Sequence, residues 1–87
     1  ALVLEKIPAT LAEKVAKNIN IPVIGIGAGG GVDGQVLVLH DMIGMTQEFH
    51  PRFLRRYMNL HEEMTTAISE YVQDVKSSEF PNKNEQY

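Results

Sequence analysis

The sequence has 87 residues, of which 44% are hydrophobic and 22% are charged, with a net charge of −3 and no cysteine. This composition is typical of a folded globular protein, and its acidic balance gives no electrostatic basis for binding nucleic acid or an anionic membrane. The lack of cysteine excludes disulfides, thiolate metal sites and cysteine nucleophiles. It also fits a reducing compartment, and no apolar run reaches the ~20 residues of a membrane span, so we expect a cytoplasmic protein.

A strand, a helix and a second strand are predicted at the start of the chain. Leu2 to Glu5 is strand-like, and Pro8 suits the first position of a helix because its missing N–H costs nothing there. Ile21 to Ile26 is the second strand. One apolar face is predicted for the helix, formed by Leu11, Val15 and Ile19 with Ala12 and Ala16 beside them. Strand, helix and strand at this spacing predict a right-handed parallel βαβ unit.

One more strand and two more helices are predicted further along. The apolar run 36–39 is read most simply as a third strand, although its periodicity does not exclude a buried helical turn. Residues 42–49 are predicted to be irregular, and Pro51 to begin a short basic helix over 52–60. The last helix is predicted over 62–76, with apolar side chains along one side. Residues 77–87 form a polar tail that we expect to be mobile.

Glu5 is the first candidate for chemistry, because it ends a buried-type strand. Parallel strands read as continuous apolar runs, and functional groups gather at their carboxyl ends, where the loops vary freely. The alternative is structural: Glu5 would cap the helix that starts at Pro8, where the helix dipole favours an anion by ~0.3–1 kcal/mol.

The beginning of the sequence also carries an expectation. The chain starts directly in a strand with no turn or partner strand before it. We therefore expect residues 1–87 to be one segment, the C-terminal part, of a single domain in a longer protein.

Three runs and a closing motif resemble a known family. They are Leu2 to Glu5, Ile21 to Gly29, Asp33 to Asp41, and Ser78-Glu79-Phe80-Pro81. In this order they strongly resemble the C-terminal third of ketopantoate hydroxymethyltransferases. The resemblance implies an α/β fold in which this chain forms the last three strands and the C-terminal helices of a (β/α)8 TIM barrel. The barrel is of the phosphoenolpyruvate/pyruvate type. It also implies transfer of a one-carbon unit from 5,10-methylenetetrahydrofolate to 3-methyl-2-oxobutanoate with Mg²⁺.

The resemblance gives Glu5 a role as catalytic acid/base. A 2-oxo acid becomes a carbon nucleophile by losing a proton beside its carbonyl, while a metal on its oxygens stabilises the enolate. Partial desolvation at the strand end would raise the pKa of Glu5 toward the operating pH. The family takes its metal ligands from earlier strands. Asp33 and Asp41 are interpreted as turn and loop or cap residues, and no metal ligand is assigned here.

The glycine cluster Gly27 to Gly31 and the histidines leave alternatives open. A GxGxxG pattern overlaps the cluster at Gly25 to Gly30, but it lacks the following helix and acidic residue of a dinucleotide site. It gives either backbone room near substrate or folate, or a purely structural turn. His40 is interpreted as a hydrogen-bonded structural residue, with substrate contact as the alternative. His50 and His61 do not complete a metal set with it, because no two histidines have the required spacing.

Two surfaces suggest contacts outside this segment. Arg52, Arg55 and Arg56 could hold the glutamate tail of a folate, although a solvated face or a subunit contact is favoured. The apolar side of the last helix exceeds what three strands can cover and favours association, and the family forms homo-oligomers. We expect the 87-residue chain alone to be inactive. The alternative function is a non-catalytic α/β interaction module that binds a partner through this helix.

Overall fold

The computed structural model describes residues 1–87 and contains three strands and three helices. In chain order they are β1 (Leu2–Glu5), α1 (Ala9–Asn18), β2 (Val23–Ile26), β3 (Gly34–Gln35), α2 (Leu39–Met42) and α3 (Leu60–Ser77). The strands form one parallel sheet in the order β1-β2-β3. This confirms the α/β class and the βαβ unit; the closed barrel stays a prediction.

The register of the sheet separates a covered face from an open one. Leu2 pairs with Val23 and Glu5 pairs with Ile26, and paired residues of parallel strands share a face. Val23 and Gly25 are buried, whereas Ile24 and Ile26 between them are half-buried. Since α1 packs on β2, its side of the sheet is the buried one. The other face, which carries Glu5, is open.

Helix α1 packs through a small residue. Ala12, one of the two alanines predicted on the apolar face, is its one fully buried side chain. Val15, Ala16 and Ile19 of that face are half-buried, whereas Leu11 is 49% exposed. The predicted face is therefore confirmed except at Leu11. Helix α1 comes close to the loop after β2, since a Cβ added to Gly29 would lie 2.4 Å from the Cβ of Ala9. A helix that lies this close to the loop after β2 accommodates alanine on that side.

The predicted third strand over 36–39 is wrong. The strand is Gly34–Gln35, and residues 36–38 belong to no regular element before α2 begins at Leu39. The ladder stops because β2 ends at Ile26 and Gly27 turns into the left-handed region at φ +65°. The Val36 amide still donates to the Gly25 carbonyl at 3.0 Å, and that bond is the last of the ladder. The residues that follow Val36 are apolar but have no backbone hydrogen bonds to a neighbouring strand, so they do not extend β3.

The predicted basic helix over 52–60 is also wrong. These residues form a turn and an irregular segment, in which Leu54 is buried and donates its amide to the Pro51 carbonyl at 3.0 Å. Arg56 extends one guanidinium nitrogen to three backbone carbonyls, those of Thr46, Gln47 and Phe49, at 2.7, 3.1 and 3.3 Å. Hydrogen bonds to a distant loop therefore replace the local helix that the sequence pattern favoured.

The last helix is confirmed, and it projects away from the sheet. Asn59 caps α3 by accepting from the Glu62 amide and donating to the Glu62 carboxylate at 2.8 Å. Every residue from His61 onward is exposed, including the apolar stripe of Met64, Ile68, Tyr71, Val72 and Val75. The radius of gyration is 21.4 Å, against about 12 Å for a compact chain of this length.

The residues after α3 are exposed and irregular, and the mobility expected of the polar tail stays a prediction. Ser78 ends the helix at φ +62°, and the Phe80 ring lies edge-on to Tyr71 with 5.6 Å between centroids. Beyond it, the Asn82 amide donates to the Glu85 carboxylate at 2.8 Å, which closes a local turn. No helix of the structure has both the length and the apolarity to cross a membrane.

Candidate functional site

The candidate site lies at the carboxyl edge of the sheet, where β1 and β2 end side by side. Glu5 is the last residue of β1 and lies opposite Ile26. The next residue, Lys6, has a left-handed φ of +50° and donates its amide to the Ile26 carbonyl at 2.8 Å. This bond continues the ladder past Glu5, so the backbone that carries the carboxylate is fixed.

The Glu5 side chain is exposed and is not engaged by the helix that follows. Helix α1 has no side-chain cap and no acidic residue in its first turn. The capping interpretation of Glu5 is therefore wrong, and its carboxylate remains available on the open face. Residues of this chain do not provide the partial desolvation expected of it, since Glu5 is exposed. Its catalytic role stays a prediction.

The glycine loop after β2 is shaped by close approaches to protein neighbours. A Cβ added to Gly27 would lie 2.6 Å from the Phe53 ring, and Gly27 has a φ of +65°. Gly29 has a φ of +81°, and a Cβ added there would lie 2.4 Å from the Cβ of Ala9. Its carbonyl accepts a hydrogen bond from the Gln35 side chain at 2.8 Å. The structural turn is confirmed for these two glycines. Gly30 has open space around it, and contact of the loop with substrate stays a prediction.

Two clefts open beside the glycine loop and share Gly27 and Phe53 as a common wall. The first has a volume of ≈ 780 Å³ and is lined by residues 6–9, Gly27, Gly29 and residues 51–53. The second has a volume of ≈ 540 Å³ and includes Arg55 and Tyr57. Glu5 lines neither cleft, although Lys6, the residue after it, lines the first. A ligand in the first cleft would therefore lie beside the carboxylate-bearing strand end.

The acidic residues of the chain do not form a metal site. Asp33 accepts a hydrogen bond from the Val23 amide at 2.7 Å and returns its own amide to the Val23 carbonyl at 2.9 Å. This confirms its structural interpretation. Asp41 lies in the first turn of α2, between its cap residues, which corrects its interpretation as a loop or cap residue. No three His, Asp or Glu residues gather anywhere in the chain, so these residues do not fit Mg²⁺, which requires several oxygen ligands.

The histidine expected to be a hydrogen-bonded structural residue is placed differently. His40 is exposed in α2, and its recorded hydrogen bond is through the backbone carbonyl, which accepts from the Met45 amide at 2.8 Å. The imidazole is therefore not fixed by a structural partner. It does not line either of the two clefts.

The three arginines that form one basic cluster in the sequence lie in three different environments in the structure. Arg56 is half-buried and binds loop carbonyls, which makes it structural. Arg52 lines the first cleft and Arg55 the second. Lys6 was missed as a candidate, although a basic residue directly after a strand-end acid was a usable signal.

Comparison with known proteins identifies the relatives of this chain. Residues 1–83 match the family model described as ketopantoate hydroxymethyltransferase. Proteins named 3-methyl-2-oxobutanoate hydroxymethyltransferase are similar throughout: the one from Flavobacterium johnsoniae is 74% identical over 86 residues, and that from Parabacteroides distasonis 70% identical over 87 residues. The matches cover 99% and 100% of this chain but 32% of each relative. The chain thus spans about a third of the length of the curated relatives it matches.

Proposed function

Because the chain belongs to the ketopantoate hydroxymethyltransferase family, we propose that the protein carrying it acts in the cytoplasm as a hydroxymethyltransferase. It moves a one-carbon unit from 5,10-methylenetetrahydrofolate to 3-methyl-2-oxobutanoate. The parallel strands would be the last three of a (β/α)8 barrel, whose active sites lie at the carboxyl ends of the strands. Glu5 stands at such an end, and that position is the observation that carries the proposal.

Glu5 acts in this proposal as the base that starts the reaction. Its carboxylate takes the proton from the carbon beside the carbonyl of 3-methyl-2-oxobutanoate, and the electron pair of that C–H bond becomes the enolate. The enolate carbon then bonds to the methylene carbon of the donor as the C–N bonds of that carbon break. Water supplies the hydroxyl group and tetrahydrofolate is the leaving group. Two features of the structure favour this role: the backbone of Glu5 is fixed by the ladder, and its carboxylate is not engaged by α1. A base must be held within hydrogen-bond reach of the proton it removes.

Magnesium, which we include in the proposed activity, would be held outside this chain. The acidic residues here are dispersed, and Asp33 is occupied by the backbone of β2. No step of the reaction is therefore assigned to a metal bound by these residues. The other two-thirds of a relative's length would supply the metal ligands together with most of the substrate site.

A homo-oligomer is the form that we propose for the enzyme, on the strength of α3. Its apolar stripe is largely exposed: Ile68 is 59% exposed, and Tyr71 is 56% exposed even with the Phe80 ring edge-on to it. A contiguous apolar surface of this kind is typical of an interface. The same stripe favours the second candidate function, a non-catalytic interaction module that binds a partner through α3.

Replacement of Glu5 by Gln in the full-length protein tests the proposed function. Deuterium exchange at the carbon beside the carbonyl of 3-methyl-2-oxobutanoate, followed by NMR in D₂O, measures proton removal without the one-carbon donor. We expect Glu5→Gln to slow this exchange and overall turnover by roughly 10²–10⁴-fold, the range for a general base. Folding and subunit assembly should persist, because Glu5 is exposed and makes no structural contact.

Glu70→Gln is the matched control, an isosteric change of an exposed residue on α3, away from the strand ends. Its exchange rate should equal that of the parent protein. Unchanged exchange in Glu5→Gln would remove Glu5 from the mechanism. Complete absence of exchange and turnover in the parent protein would instead favour the interaction module.

A further inference from the structure

The first cleft is built from three separate segments that the fold holds together. The loop after β1 supplies Lys6, the loop after β2 supplies Gly27 and Gly29, and the turn at residues 51–53 supplies Arg52 and Phe53. Its volume of ≈ 780 Å³ lies within the range of pockets for drug-sized ligands, about 300–1,000 Å³. A five-carbon oxo acid would occupy only a small part of it.

The charge of the cleft has one sign. Lys6 and Arg52 are its two charged lining residues, and no acidic side chain lines it. Neither cation is paired, because the one ion pair in the structure joins Lys17 to Glu13, and neither of these residues lines the cleft. Ala9, at the beginning of α1, adds the positive end of a helix whose first turn contains no acid. Two unpaired cations converging on one concave surface favour an anion.

The two cations stand on fixed backbone. Lys6 is held by its amide bond to the Ile26 carbonyl. Arg52 lies in the turn closed by the Leu54 amide and the Pro51 carbonyl, and this turn is anchored by the buried Leu54 and by Phe53 packed on Gly27. A site with a fixed framework loses less conformational entropy when it binds a ligand than a loose one does.

From these observations we infer that this cleft binds the anionic carboxylate tail of the larger co-substrate through Lys6 and Arg52. The choice of this ligand rests on the proposed function, in which the one-carbon donor carries a glutamate tail. Guanidinium and ammonium groups are suited to carboxylates, and guanidinium can bind them in a bidentate manner. The oxo acid substrate, also a carboxylate, belongs at the open face beside Glu5.

Charge-neutral variants of the full-length protein provide the test. For Arg52→Gln and Lys6→Gln, we expect the KM for the one-carbon donor to rise about tenfold each, the equivalent of one charge-assisted hydrogen bond. The KM for the oxo acid and kcat should change less than about twofold. Lys14→Gln, which removes an exposed cation of α1 outside the cleft, is the control and should leave all three parameters unchanged.

Direct binding of a γ-linked triglutamate peptide, measured by calorimetry, tests the cleft without catalysis. We expect the peptide to bind the parent protein and the Lys14→Gln variant equally, and to bind Arg52→Gln about tenfold more weakly. Equal binding to all three proteins would overturn the inference. A rise in KM for the oxo acid instead of the donor would also overturn it, because the cleft would then hold the small substrate.

The peptide experiment separates this inference from the proposed function. If the parent protein fails to turn over the donor but binds the peptide through Arg52, the cleft is an anion site and the proposed reaction is wrong. If turnover is normal and peptide binding is insensitive to Arg52 and Lys6, the reaction stands and the cleft assignment fails.

Discussion

The sheet region, residues 1–35, and the arm, residues 60–87, have the same kind of amphipathic sequence and opposite burial. In the sheet region Ala12, Val23 and Ala28 are completely buried. In the arm every residue after Leu60 is exposed, although α3 carries the longer apolar stripe. Local pattern therefore forms the helix in both regions, and burial depends on whether a partner surface exists within the chain.

Helices α1 and α3 differ in burial because they are connected to the sheet in different ways. The βαβ unit returns α1 onto the sheet from which it came, so its apolar face meets β2 within a few residues. Helix α3 is joined to the rest through its first turn, where Leu60 and His61 donate their amides to the carbonyls of Ile43 and Gly44 at 2.9 and 3.1 Å. A helix held at one end is stabilised by its caps and its backbone hydrogen bonds, and its stripe remains free for another surface.

Gly44 lies at the joint between the two regions, and its replacement should lower the stability of the protein most. It has a φ of +74°, and an added Cβ would lie 2.3 Å from the Met58 carbonyl oxygen. The left-handed conformation costs roughly 1–2 kcal/mol for a residue with a side chain, and the overlap is with backbone that must move. We expect Gly44→Ala to lower the free energy of unfolding by at least about 3 kcal/mol, as measured by urea denaturation.

Gly30→Ala is the control for the joint. This glycine has no neighbour within 4 Å of an added Cβ and no positive φ. The substitution should stabilise the protein by about 0.4–1 kcal/mol by restricting the unfolded chain. Equal effects at Gly44 and Gly30 would show that the joint between the sheet region and the arm is not fixed by Gly44.

Matched valine truncations measure the difference between the two regions directly. Val23 is fully buried in β2, and Val75 is 45% exposed on α3. Val23→Ala should lower the free energy of unfolding by about 2 kcal/mol at any protein concentration, because it removes buried methyl groups and leaves a cavity. Val75→Ala should lower it by less than about 0.5 kcal/mol in dilute, dissociated protein.

Repeating the Val75→Ala measurement over a range of protein concentrations tests whether another copy of the protein covers α3. If α3 is covered by another copy of the protein, the cost of Val75→Ala should grow as association increases, and sedimentation should show weaker assembly. A cost that stays near zero in fully assembled protein would show that the stripe is not an interface.

The smallest expected effect concerns the exposed side of α1. The hydrogen bond and charge of Lys17 hold the pKa of the Glu13 carboxyl below its ordinary value of 4.5. This contribution to stability is present above the pKa of the unfolded chain and is lost as pH falls through the lower folded value. We expect Lys17→Met to return the Glu13 pKa toward 4.5, which an NMR titration of the carboxyl carbon would detect. Solvent screening keeps the change in stability small.

The arginines show where prediction from sequence stops. Arg52, Arg55 and Arg56 form one basic run, and Pro51 before them is typical of a helix start. In the structure, Arg56 turns to carbonyls seven to ten residues earlier in the chain, and this contact replaces the helix. Periodicity reports local preferences, so it does not reveal a side chain that satisfies a distant loop. The clefts on either side of Phe53 are lined by segments far apart in the chain, so periodicity does not reveal them either.

The sequence by itself determined the βαβ unit, the last helix and the placement of Glu5 at a strand end, because each depends on spacing along a short stretch of chain. Only the tertiary structure decided where β3 ends, that Leu11 of α1 stays exposed and where each arginine lies. Those features depend on hydrogen-bond partners and close approaches between residues far apart in sequence, such as Phe53 on Gly27 and Met58 beside Gly44.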